Sequence, residues 1–500
     1  MPATDRNRPM RLRTPLGEDA LQVTQLSGVE SLGQLFEYDL TLVSERADLK
    51  PDDILAQAIT VEIALPDDRV RFVNGFVTDF SQLGYGERYH EYRATIRPWF
   101  WFLTRVADCR VFQEQSVPEI FESVVRRHGF TDFELRLKDS SAYDKWEYCV
   151  QYRETDFNFL SRLLEQEGLY YFFEHEDGLH RLVLVDDSSG HKSEDGYASV
   201  PYYPPTANDA QRERDHLREW GISRTLTTGA YATTDYDEDD PRRSLKVSVR
   251  DKRAKTRGEY EIFDYPLEFQ SGSSAELNRI AKTRLAELQV QHAVARGSGD
   301  ARGLLTGRKF KLEKHPRDDL NVEYLITSSQ LSVTSDSLQS SGGGGATELS
   351  IALQAIDATV VFRPARVTPK PIVQGAQTAV VVGKAGEEIW TDELGRVKVQ
   401  FPWDRHGTKD DSSSCFVRVA QIWAGEQWGA MHIPRIGQEV IVSFLEGDPD
   451  QPIITGRVYN GTHKPPYELP ANQTQSGIKS RSSKGGTAEN FNEIRFEDKK

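Results

Sequence analysis

Apolar and polar residues alternate through the first hundred positions. Glu37–Val43, Ile59–Leu65, Val70–Phe76 and Tyr89–Pro98 carry the period-two pattern of half-buried strands, and Pro66-Asp67-Asp68 marks a turn between two of them. The period then changes. Ser116 and Glu119 form a capping box, Pro118 sits in the first turn, Ile120, Phe121, Val124 and Val125 share one face, and Gly129 ends the helix. A second helix opens near Thr155, buries Phe159, Leu160, Leu163 and Leu164, and ends at Gly168. Leu169–Phe173 continues as a strand, and the Asp177-Gly178 turn returns it through Arg181–Val185 as a hairpin. A third helix starts with Ser273 and Glu276, turns Leu277, Ile280, Ala281, Leu285 and Leu288 to one side, and has Gly297 past its end. Tyr324–Ser335 and Glu348–Ile356 predict two strands joined by Ser340–Gly345, a glycine run that is a flexible loop rather than a phosphate cradle.

Five shorter runs follow: Thr378–Val382, Arg396–Phe401, Cys415–Ile422, Glu439–Leu445 and Ile453–Tyr459. Each is rich in valine, isoleucine and aromatics and is bounded by turn residues, which predicts a small all-β barrel. Four of the eight tryptophans fall in this stretch: Trp390, Trp403, Trp423 and Trp428. Pro364–Pro371, with three prolines in eight residues, is the best domain boundary. Past Pro470 the chain turns polar, basic and glycine-rich, with Lys479, Arg481 and Lys484. Asn492–Asp498 then alternates again, Ile494 and Phe496 being apolar, and the pattern stops there as a strand without a partner. The expectation is that the natural protein continues. No short repeat stands out at solenoid periods.

Five hundred residues exceed one ordinary domain, so two to four are expected. The net charge of −15 argues against nucleic acid or an anionic membrane as the main partner. Cys109, Cys149 and Cys415 are odd in number and far apart, form no zinc pattern and fit a reducing compartment. Met1–Arg13 has no apolar core and is no signal peptide. No apolar run nears the ~20 residues that span a bilayer.

Candidate chemistry is thin. No Gly-x-Ser-x-Gly elbow, Walker loop or dinucleotide fingerprint is present; Gly297-Ser298-Gly299 with Gly303 misses the last by one residue. His175 and His180 miss the zinc-protease spacing by one residue and fall on a hairpin, where two imidazoles cannot converge as they do on a helix. They read as surface histidines. Asp235, Asp237, Glu238, Asp239 and Asp240 have the density of a calcium loop but Asp240 where the loop needs glycine, so a solvated acidic loop is expected. Glu165, Glu167, Glu174 and Glu176 could supply a glycosidase pair but read as surface charge. A small barrel can also stack single-stranded bases on aromatics in a basic groove. Nine basic against twelve acidic residues between Gly375 and Lys464 leave no such groove, so core packing or a subunit interface accounts better for the tryptophans.

The ordered motifs carry a family likeness. Ile389–Val399, Trp403–Arg405, Cys415–Val419, Trp428-Gly429, Ile433–Val440, Gly447–Pro452 and Gly456–Asn460 resemble the barrel of VgrG proteins, the spikes of type VI secretion systems. Gln151–Phe157 and Glu165–Tyr171 resemble the family's hub, and Ser480–Gly486 with Asn492–Asp498 its neck and first needle strand. The resemblance implies a mainly β fold with α insertions. Residues 1–370 would form an α+β hub of two β-barrel subdomains, 371–466 an OB-type barrel, and 467–500 the truncated start of a trimeric β-helix needle. It implies a homotrimer that caps the hexameric Hcp tube, docks on a baseplate and carries a PAAR tip with effectors or adaptors on the missing needle. Such a spike is assembled in the bacterial cytoplasm and leaves through the type VI system. It has no catalytic residue, cofactor, metal or nucleic-acid partner. Trp390, Trp403, Trp423, Trp428 and Ile436 would lie in the barrel core or at the trimer axis. A phage relative carries a muramidase between barrel and needle; Gly461–Gln475 is too short to hold one. The alternatives are the hub of a contractile phage tail or tailocin, a spike fused to a C-terminal toxin, and a nucleic-acid-binding barrel.

Overall fold

The computed structural model describes residues 9–85, 88–205, 215–251, 260–266, 273–335 and 347–500. Ser340–Gly345 lies outside them. The chain divides into two compact units, each discontinuous in sequence. One holds Met1–Val106, Val117–Asp144 and Leu160–Thr368; the other holds Ala107–Ser116, Lys145–Phe159 and Pro369–Lys500. The mainly β expectation holds, with helices confined to a few insertions.

The first unit is organised by a 12-stranded sheet. Its strands are β1 (Met10–Arg13), β2 (Gln22–Ser31), β3 (Glu37–Ser44), β4 (Ala58–Ala64), β5 (Val70–Tyr85), β6 (His90–Arg97), β7 (Ser199–Pro201), β8 (Leu217–Arg224), β9 (Ala293–Gly299), β10 (Lys309–Glu313), β11 (Glu323–Ser335) and β12 (Thr347–Asp357). The order is β1-β4-β5-β6-β3-β2-β11-β12-β9-β8, and β10 pairs both β7 and β11. Alternation sets the faces: Tyr38, Leu40 and Leu42 of β3 are buried, with more exposed residues between them. β2 carries glycine at position 28 because the Tyr38 ring lies over it, where a Cβ would come within 2.1 Å. The Gly297-Ser298-Gly299 run belongs to β9, and Gly297 makes room for the Trp220 ring across the ladder. Bulges in the β2–β3, β5–β6 and β11–β12 ladders increase local twist.

Helix α1 (Val117–Arg127) buries the four apolar residues its pattern predicts. Phe121 meets Phe100 and Phe133 with ring centroids 6.0 and 5.7 Å apart. Tyr170–Glu176 and Leu179–Val185 form the expected hairpin, joined in parallel by Phe133–Arg136. It shares a core with Leu325 and Ile356 of the large sheet. Helix α2 (Asp156–Glu167) precedes it. Helix α3 (Ser274–Gln289) is capped as expected, the Ser273 hydroxyl accepting from the Glu276 N–H at 3.1 Å. It covers a small sheet through Tyr231, Ala281 and Leu285.

In the second unit five strands form the barrel: β13 (Gln377–Val382), β14 (Lys398–Gln400), β15 (Arg418–Val419), β16 (Glu439–Phe444) and β17 (Pro452–Val458). The order is β14-β13-β16-β17-β15. Val397 and Val417 exchange backbone hydrogen bonds of 3.0 and 2.8 Å, which joins the two ends of that order and closes the barrel. Val381, Val397, Val399, Phe401, Val440, Val442 and Ile454 fill it.

Two expectations are corrected here. Cys415–Ile422 is not one strand: the ladder spans Arg418–Val419 and Ile422 is 89% exposed. The following residues Trp423–Gly425 pair instead with Trp428–Ala430 in a separate hairpin. Nor is the terminal strand unpaired, because Glu493–Glu497 runs antiparallel to Gln475–Lys479.

Sequence gave no warning of a further part of this unit. Ala107–Phe112 and Cys149–Thr155, separated in sequence by α1 and Phe133–Arg136, pair antiparallel in the same unit as the barrel. Phe112 stacks on Phe159 at 5.1 Å. Tyr152 meets Trp403 at 5.7 Å and its hydroxyl accepts from Gln377 Nε2 at 2.8 Å. The Val150 N–H donates to Asp450 Oδ1 at 2.6 Å. Asp108 accepts from Arg405 Nη2 at 2.9 Å and lies 3.0 Å from His406 Nε2.

Candidate assembly interface

The singled-out aromatics fall into three places within the second unit. Trp403 lines the barrel: it stacks on Phe401 at 4.9 Å and 13°, and its Nε1–H donates to Gln377 Oε1 at 2.8 Å. Trp390 and Ile436 sit together over Gly383, where a Cβ would lie 2.5 Å from Trp390 and 2.9 Å from Ile436. The Ile436 N–H donates to the Glu388 carbonyl at 3.0 Å, and Lys384 Nζ lies 5.7 Å from the Trp390 ring centre.

Trp423 and Trp428 are elsewhere, on the separate hairpin. They are 63% and 57% exposed, flanked by Ile422 at 89% and Met431 at 75%. Four large apolar side chains standing clear of water-excluding neighbours within ten residues form the kind of patch that marks an interaction surface. Local contacts fix the hairpin. Gln427 adopts φ +62° at the turn, the Trp428 ring covers Gly425, and Gln421 Oε1 accepts from the His432 N–H at 3.0 Å. Ile422 and Met431 were missed in the sequence because the turn, Glu426-Gln427, lacks the Asn-Gly signature of a tight hairpin.

The terminal ribbon has the same character. Ile478 and Ile494 face each other in register, and with Phe496 they remain 59%, 65% and 62% exposed. A two-stranded ribbon that buries nothing is marginal by itself. Its outer edges carry unpaired backbone donors and acceptors ready for another strand.

The residues weighed for chemistry serve the fold instead. The two histidines are not on the surface: His180 is 2% exposed and the His175 side chain 4%. Nor are three of the four glutamates surface charges. Glu165 accepts from the Val367 and Thr368 N–H groups, both at 2.9 Å, and from the Thr368 hydroxyl at 2.8 Å. Glu167 pairs with Arg279. Glu174 pairs with Arg136 at 2.8 Å and Arg308 at 2.9 Å. Burial pushes the Glu174 carboxyl up, and the Arg136 hydrogen bond with the charges of Arg308 and Arg136 outweighs this and holds it down. Glu176 alone stays exposed, beside Arg181. In the acidic loop, Asp237 Oδ1 accepts from the N–H groups of Asp239 and Asp240 at 3.0 and 3.1 Å. Among the described residues no three His, Cys, Asp or Glu side chains stand in a metal-binding arrangement, and no helix is long and apolar enough to cross a membrane.

Comparison with known proteins places this architecture. The family described as phage tail baseplate hub (GPD) matches residues 29–337, and the type VI secretion system/phage-baseplate injector OB domain matches 377–459. The type VI secretion system spike protein VgrG1b of Pseudomonas aeruginosa is 50% identical over 500 residues, which is 100% of this chain and 67% of that protein. The chain belongs to the VgrG spike family. VgrG1a of the same organism is 50% identical over 493 residues, covering 99% of this chain and 76% of the relative. Among solved structures the Escherichia coli c3393 protein is similar, with a TM-score of 0.63 and 22% identity over 90% of this chain and 100% of that one. It is described as a type VI secretion component structurally similar to the T4 bacteriophage tail proteins gp27 and gp5. A chain of a lidless PdpA–VgrG complex aligns with a TM-score of 0.59 at 10% identity, over 95% of this chain and 88% of that one. The VgrG likeness read from the sequence is thus borne out, as is the OB-type barrel, and the chain has a spike and hub role.

Proposed function

We propose that this VgrG chain works as a closed trimer that caps the Hcp tube, sits on the baseplate and is driven through the target envelope when the sheath contracts. Each chain would bring two hub barrels, so three would offer six to the hexameric tube. The PAAR tip and the effectors or adaptors would ride on the needle. The chain would be assembled in the cytoplasm and exported by the type VI apparatus itself. It would act mechanically, without cofactor, metal or nucleic acid.

The observation that carries this reading is the exposure of Ile422, Trp423, Trp428 and Met431 together with the ribbon of Gln475–Lys479 and Glu493–Glu497. Three-fold closure covers such patches in a way that leaves no open end. Ribbon edges paired across chains satisfy their backbone groups and resist shear. Trp390, Trp403 and Ile436 serve the barrel in this reading, while Trp423 and Trp428 serve the subunit interface.

The test is the absolute mass of the 500-residue chain by light scattering during gel filtration. With a monomer of 56.7 kDa, a trimer gives ~170 kDa. A trimer that captures purified Hcp supports the reading. A stable monomer that does not capture Hcp overturns it. The hub of a phage tail or tailocin is the second reading, favoured by the baseplate-hub match over 29–337. A trimer indifferent to Hcp would select it.

A further inference from the structure

The buried histidines form a connected polar cluster inside the first unit, and the spike role makes no use of it. His175 and His180 face each other across the hairpin of Tyr170–Glu176 and Leu179–Val185. Both nitrogens of His180 are committed. The Trp99 N–H donates to Nε2 at 2.9 Å, so Nε2 carries no proton, and Nδ1–H donates to Asn74 Oδ1 at 2.7 Å. Asn74 cannot turn to offer something else, because its Nδ2 donates to Thr60 Oγ1 at 2.8 Å and to the Ile59 carbonyl at 3.2 Å. The rings of Phe36, Phe76 and Phe173 lie within 5.9 Å of His180.

Charged groups surround the cluster but do not serve His180. His175 accepts from the Asn74 N–H at 3.1 Å and approaches Glu30 Oε1 of β2 through Nε2 at 3.1 Å. The Tyr38 hydroxyl of β3 donates to the same Glu30 oxygen at 2.5 Å. Arg71 of β5 donates to the Arg302 carbonyl at 2.8 Å, and its charge also favours ionised Glu30. Arg13 of β1 joins Asp177 at the hairpin turn to Glu62 of β4. The carboxylate inside the pocket is therefore held by His175 and Tyr38.

We propose that this cluster is an acid-released lock: it ties the hairpin to β5 and to the short 3-10 helix Trp99–Arg105 at neutral pH, and protonation of His180 opens it. A proton on Nε2 would set its N–H against that of Trp99 and place a cation beside His175, with Asn74 Oδ1 still accepting from Nδ1–H but the Trp99 hydrogen bond lost. Burial and the neighbouring His175 hold the His180 pKa well below its ordinary value, in agreement with that geometry. Once the hairpin has parted from the sheet, His180 becomes an ordinary imidazole with a pKa of about 6.5. Opening and protonation are then linked, and the opening constant rises about tenfold for each pH unit below about 6.5. This regulation lies beyond the spike reading and stands whether or not the chain forms a trimer.

The experiment is hydrogen exchange at the Trp99 amide in the 500-residue chain, followed by mass spectrometry between pH 7 and pH 5. Rates are corrected for intrinsic exchange, and amides of β9 and β12 serve as internal reference. Protection at Trp99 is expected to fall about tenfold between pH 6 and pH 5 relative to that reference. His180→Gln, which keeps a polar group without a titratable one, should lose the pH dependence, while His292→Gln should keep it. Trp99 protection that is flat with pH in the wild-type chain overturns the proposal, as does a His180→Gln variant with the wild-type slope. If His180→Gln does not fold, the wild-type slope against the internal reference decides alone.

Discussion

Trp423 and Trp428 meet edge to face, their ring centroids 5.2 Å apart and their planes at 84°, yet both rings stay more than half exposed. An aromatic pair fixed in this way adds little to the stability of its own chain and much to a surface that covers it. In the proposed trimer, Trp428→Ala should therefore weaken subunit association by about 2 kcal/mol or more, roughly 30-fold in dissociation constant. Light scattering on dilution would show it, with the urea midpoint of the dissociated chain unchanged. Trp403→Ala should behave in the opposite way, costing about 3 kcal/mol of barrel stability. Equal effects of the two on chain stability would remove the hairpin from the interface.

The barrel unit should be sensitive to residues far upstream in sequence. Arg110 and Asp156 form an ion pair of 2.7 Å with side chains 8% and 1% exposed. Asp156→Ala removes the carboxylate from a buried guanidinium that also donates to Gln151 Oε1 at 2.9 Å, and such losses cost about 3–5 kcal/mol. Urea unfolding followed by Trp403 fluorescence should show the midpoint fall. An unchanged midpoint would mean that the strand pair of Ala107–Phe112 and Cys149–Thr155 contributes nothing to the barrel.

Glu165 holds the proline-rich stretch through Val367 and Thr368. Removing the carboxylate leaves two backbone donors without partners, at about 1–3 kcal/mol. Glu165→Ala should raise trypsin cleavage after Arg366 at least tenfold by the same measure, visible as a new pair of fragments. Unaltered digestion would show that other contacts fasten this stretch.

His191 gives the fold a pH dependence of known sign. Its Nδ1–H donates to the Gly307 carbonyl at 2.8 Å and its Nε2 accepts from the Tyr170 hydroxyl at 2.9 Å, so the neutral ring is fully satisfied. Burial pushes its pKa down to about 4, against the Gly307 hydrogen bond, which favours the proton. Above about pH 6.5 the folded and unfolded chains both hold it neutral. As pH falls from there towards 4, the unfolded chain takes up a proton that the folded chain refuses, and up to about 3 kcal/mol of stability is lost. Wild type should lose more stability than His191→Gln between pH 7 and pH 4.5 by urea denaturation; equal losses would refute the assignment.

The parts legible in the sequence were those written in local patterns. α3 announced itself through Ser273 and Glu276, and the barrel strands through valine-rich runs between turn residues. What stayed hidden depends on partners distant in sequence. Nothing local to His180 says that Asn74 and Trp99 enclose it, so its hairpin position suggested solvent. Glu165 looked like surface charge because its partners come two hundred residues later. Ile422 looked like the end of a barrel strand, since periodicity cannot tell an apolar side chain that faces a core from one left exposed. The family likeness reached further than the local patterns because it rests on motifs in order along the whole chain.

The backbone passes between the two units five times, after Val106, Ser116, Asp144, Phe159 and Thr368. One of these passages runs through α2 itself. Severing the proline-rich stretch would therefore not free the barrel, because Asp108, Val150 and Tyr152 would remain bound to it on the other fragment. Each unit is thus sewn from stretches of chain that the other unit interrupts, and neither can be cut out of the sequence as a single piece.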